Sequence, residues 1–93
     1  MPSIPDAYST RAPSAGSPAR RVETVTPSDA TDLSAVAKAL YVGIAGDVRL
    51  IPAGTSDDTA VTLRNHPVGY LAVQTRRVLA TGTTADAVLA LFD

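Results

Sequence analysis

The sequence predicts an all-β protein: a small antiparallel β-sandwich or barrel of about six strands behind a flexible N-terminal arm. Three observations lead there. From Arg21 onward Val and Thr are frequent, and short apolar runs are separated by Gly, Asp, Asn and Pro, the punctuation of strands and turns. Several of those runs alternate apolar and polar residues, the repeat of a half-buried strand. Before Arg21 the character differs. Four of the seven prolines (Pro2, Pro5, Pro13, Pro18) fall within residues 1–20, among Ser, Ala and Gly16 and without apolar periodicity. Such a segment buries too little side chain to offset its ordering entropy. The chain therefore divides into an extended or disordered arm, residues 1–20, and a β domain, residues 21–93.

The elements follow in order. Val22 and Val25 mark a first short strand, stopped near Pro27, and Ser28–Asp32 is a polar loop. Leu33–Ala37 reads either as a helical turn capped by Asp32 or as loop. Leu40, Val42 and Ile44 share one phase of a second strand, and Val48–Ile51 forms a third. Gly46-Asp47 between them reads as a two-residue hairpin turn, since Gly supplies the positive φ of a primed turn. Pro52 ends the third strand or marks it as an edge. After a polar loop, Thr59–Arg64 alternates with Val61 and Leu63 inward, and residues 65–69 read as a turn. Tyr70–Ala80 reads as one longer strand. Leu71 and Val73 share one phase and Val78 and Ala80 the other, which a bulge near Gln74–Arg77 reconciles. Val88–Phe92 is the last strand. Its second face, with Ala87, Leu89 and Leu91, is also apolar, so the strand is covered on both faces or packs on a partner. Helix competes for 85–92, where Ala and Leu dominate and Thr84 is available as a cap.

Composition narrows the function classes. Ninety-three residues make one domain with much of its surface exposed. The chain has no cysteine, so disulfides and thiolate metal sites are excluded, and oligomerisation becomes the expected source of extra burial. A net charge of −1 offers no electrostatic case for nucleic acid or anionic lipid. No apolar run approaches the roughly 20 residues needed to span a bilayer. Met1–Asp6 lacks the basic start and apolar core of a signal peptide, so synthesis in the cytosol is expected.

Catalytic, cofactor-binding and metal residues are not expected. His66, the one histidine, precedes a proline in a turn and has no second ligand in view. Asp57-Asp58 lacks the alternating spacing of a calcium loop. Gly43-Ile44-Ala45-Gly46 is not followed by Lys-Ser or Lys-Thr, and no Gly-x-Ser-x-Gly motif occurs. The basic features are two arginine pairs. Arg76-Arg77 is expected to straddle a strand, one side chain exposed and one along the edge; Arg20-Arg21 sits where arm meets domain. The partner-binding candidates are the arm anchors Ile4 and Tyr8 with Arg11, Arg20 and Arg21, the arginines offering fork geometry to carboxylates.

Three segments carry a resemblance: Val25–Leu33, Ala39–Val48 and Arg77–Ala85. In order and spacing they resemble the head-spike base proteins of alphaproteobacterial gene transfer agents and related tailed phages, a likeness covering residues 22 to 93. The resemblance implies a β-rich virion structural protein, not an enzyme and without cofactor. It implies a homo-oligomer, a pentamer at a five-fold vertex, docked on capsid protein at one end and holding a spike or fibre protein at the other. The expected location is the capsid surface after assembly in the host cytoplasm, with no nucleic-acid or membrane partner. The alternative is a carbohydrate- or receptor-binding β module of a phage fibre, with Tyr41 and Tyr70 as the available aromatics.

Overall fold

The computed structural model describes residues 5–6, 17–56 and 58–93. It contains seven strands: β1 (Arg21–Thr24), β2 (Ala39–Ile44), β3 (Gly46–Pro52), β4 (Val61–His66), β5 (Gly69–Leu71), β6 (Thr75–Val78) and β7 (Asp86–Phe92). They form two antiparallel sheets, one ordered β1-β7-β2-β5 and the other β4-β3-β6. The architecture is a β-sandwich. The core lies between the sheets, with Leu40, Val42, Val88, Ala90 and Phe92 from the first meeting Val48, Leu50 and Val78 from the second.

Alternation reads well within strands. Leu40 and Val42 are fully buried while Ala39, Tyr41 and Gly43 face the other way, and Val48 and Leu50 repeat the pattern on β3. The ambiguity at 85–92 resolves as strand. β7 pairs with β1 on one side and β2 on the other, so it is an interior strand whose backbone groups are bonded along both edges. Leu33–Ala37 is loop, and Pro52 does end β3.

Sheet membership corrects the sequence reading at two places. Gly46-Asp47 is not a hairpin turn: β2 and β3 are separated by Ala45 alone and belong to different sheets. Gly46 is required by close approach, not by positive φ, since a Cβ there would lie 2.6 Å from the Ala85 backbone nitrogen. Tyr70–Ala80 is not one bulged strand either. It divides into β5, in the first sheet, and β6, in the second, which raises the count to seven. The phase reversal near Gln74 marks the chain crossing the core, where each half turns its own apolar side inward. A third difference is Val61, which is 45% exposed, with Leu63 only half-buried, because β4 is the edge of the smaller sheet.

Candidate functional site

Of the residues proposed to bind a partner, Ile4, Tyr8 and Arg11 lie outside the described residues, as does most of the predicted arm. Arg20 and Arg21 are placed at the root of that segment, beside the end of β7. The Arg20 N–H donates to the Phe92 carbonyl at 2.8 Å, and the Arg20 guanidinium pairs with Asp6, which raises the arginine's pKa. Arg21 lies over the Phe92 ring, 4.3 Å from its centroid, and its guanidinium pairs with Glu23. Lys38 completes the root. Its ammonium is largely buried and donates to the Ser17 carbonyl at 2.7 Å and the Ser17 hydroxyl at 3.1 Å, and it pairs with Asp93. Sequence reasoning missed Lys38; no periodic signal links it to residues so distant in the chain.

Arg76 and Arg77 depart from expectation. Neither is freely exposed: both converge on Asp32, Arg76 at 3.1 Å and the Arg77 Nε–H at 2.7 Å. Asp32 therefore fastens the loop between β1 and β2 to β6. Backbone bonds do the same, from the Ser28, Leu33 and Ala37 N–H groups to the Val78, Arg76 and Thr75 carbonyls. Asp29 accepts from the Thr81 N–H at 2.9 Å and the Thr81 hydroxyl at 2.6 Å, and these two bonds, the hydroxyl's first, hold its carboxyl below the usual range. An open cleft of about 180 Å³ lies beside this loop, lined by Glu23, Asp32, Leu33, Ser34 and Phe92 among others.

The outer face of the first sheet is of another kind. Register places three rows of side chains on it: Val22, Leu91 and Ala39; Thr24, Leu89, Tyr41 and Tyr70; Ala87 and Gly43. None of these positions is charged. Tyr41 and Tyr70 meet edge to face, ring centroids 5.3 Å apart, and Tyr70 is 73% exposed. This is the second apolar face of the last strand that the sequence shows, extended across all the strands of the sheet.

Chemistry is sparse at these places. His66 is the last residue of β4, not part of the turn expected over residues 65–69, and its Nδ1–H donates to the Pro67 carbonyl at 2.7 Å. Among the described residues no group of three His, Cys, Asp or Glu is placed to hold a metal ion, and every buried side-chain polar atom has a partner. Fold and surface together define a small all-β protein whose distinctive features are an uncharged outer sheet face and the side-chain clamps at Lys38 and Asp32. No protein-family model and no curated protein matches the chain. Among solved structures it is similar to a chain described as "Capsid of native GTA particle computed with C5 symmetry", with 37% sequence identity and a TM-score of 0.79 over 92% of this chain and 98% of that one. The chain belongs to the family of that gene transfer agent capsid component and is a virion structural protein.

Proposed function

We propose that the chain is the base of a head spike, or a vertex decoration, that joins capsid subunits to a spike or fibre through oligomeric protein–protein contacts. The observation that carries this reading is the 37% identity to a gene transfer agent capsid component over nearly the whole of both chains. That capsid was computed with C5 symmetry, with which a pentameric form at a five-fold vertex is consistent. The work done is attachment, by shape and apolar burial, without catalysis or cofactor. The base sits on the outside of the shell, assembled there in the host cytoplasm. The N-terminal segment, with Ile4, Tyr8 and Arg11 ahead of Arg20 and Arg21, forms one contact region.

The test is to purify particles from cells with and without the chain and image their vertices. Loss of a vertex projection, restored when the purified chain is added back and co-sediments with capsids, is the expected result. Intact projections in its absence would end the proposal. A fibre-tip module is favoured only by the exposed Tyr70 packed edge to face on the half-buried Tyr41. Binding to a glycan array by the purified chain would support it.

A further inference from the structure

We infer that the outer face of the β1-β7-β2-β5 sheet is where a second copy of this chain docks. The inference rests on the oligomeric part of the reading above and names its surface. The face runs from Val22 on one edge strand, 53% exposed, to Tyr70 on the other, 73% exposed, with Leu91, Leu89 and Tyr41 half-buried between them. A sandwich needs only one buried face per sheet, so an uncharged outer face is not demanded by the fold.

Charge and area identify the occupant. Interfaces between different soluble proteins are about as polar as the rest of the surface, whereas those between identical subunits are more apolar. A partner recognised by charge would find no counter-charge in these rows. Two copies of a chain with net charge −1 repel each other little, so nothing electrostatic opposes self-contact. The nine outward positions, on strands about 4.8 Å apart and about 6.8 Å apart along each strand, give a face of about 300 Å². That is well under half of what one partner contributes to a standard interface. Such an area is small for an isolated pair of proteins and suits a subunit that touches two neighbours, where closure of the assembly shares the burial.

The experiment measures mass by light scattering on the full chain over a concentration series, for the natural protein, Tyr70→Glu and, as a control on the other sheet, Arg64→Glu. Thermal melts establish that each variant is folded. The natural chain and Arg64→Glu are expected to form the same oligomer, while Tyr70→Glu needs at least ten-fold more protein to reach that mass. Because the chain has no cysteine, Tyr70→Cys takes a single environment-sensitive dye. Its emission is expected to shift to the blue as the oligomer forms. A natural chain that stays monomeric throughout overturns the inference, and the vertex role is then judged separately by co-sedimentation with capsids. An unchanged mass for Tyr70→Glu with no shift of the dye also overturns it and leaves an oligomer built on another surface. Loss of capsid or glycan binding in Tyr70→Glu at unchanged mass assigns the face to that partner instead.

Discussion

The two sheets share a core but finish their outer sides differently. On the smaller sheet Ile51 points outward in register with Arg77, yet it is completely buried. The chain covers this side itself: the 25–37 loop is bonded onto β6, and the turn after β6 folds back so that the Leu79 N–H reaches the Arg49 carbonyl at 2.9 Å. On the larger sheet, Tyr70 and Val22 stand open. One outer side is closed by intramolecular contacts and salt bridges, and the other is apolar and bare. The contrast separates the side that stabilises the fold from the side available to partners.

Substitutions that treat the two sides alike test this contrast. Ile51→Ala is expected to cost about 2–5 kcal/mol, the range for truncating a fully buried aliphatic side chain. Tyr70→Ala is expected to cost about 0.5–1 kcal/mol, the worth of its edge-to-face contact with Tyr41. Urea denaturation of both variants measures the gap, and equal losses would erase the distinction. An effect smaller than that at Ile51 is expected at Asp32. Its side chain is 43% exposed, so Asp32→Ala should cost about 1 kcal/mol after solvent screening. The loss should be concentrated in faster hydrogen exchange at Leu33 and Ala37, whose amides bond to β6.

The smallest effect is a pH dependence. Thr81 holds the folded pKa of Asp29 below its ordinary 3.8. A carboxylate depressed in the folded state contributes its stability above the unfolded pKa and loses it as pH falls through the folded one. Melting temperatures should therefore decline from about pH 4 downward, and Asp29→Asn should flatten that decline. A variant with the same slope as the natural protein would remove Asp29 from the set of groups that close the covered side.

How much of this was legible in the sequence follows from the range of each signal. Alternation is local, so β2 and the inward Leu40 and Val42 could be read directly, and β3 as a run, whereas the doubly apolar 85–92 left strand and helix open until its pairing on both edges showed it as β7. It records which side of a strand is apolar, not which sheet the strand joins. For that reason Gly46-Asp47 passed for a hairpin, and the Leu71-to-Val78 phase change passed for a bulge. The Asp32–Arg76–Arg77 cluster joins residues 44 and 45 positions apart, and only the folded topology brings them together. Of the candidate binding residues, Arg20 and Arg21 were legible as a junction, but their seating against Phe92 was not. The bare face left a trace in the doubly apolar β7, whose meaning depended on knowing that Tyr41, Tyr70 and Val22 share its outer side.

Lys38 has a mechanical consequence. By gripping the Ser17 carbonyl and Asp93 together, it moors the segment ahead of β1 to the end of the strand at the heart of the larger sheet. Tension arriving through that segment reaches the Lys38 knot before it reaches β1. Beyond the knot it is shared by the β1–β7 ladder, four residue pairs bonded side by side. A pull on this corner is thus resisted by the body of the domain, not by β1 alone.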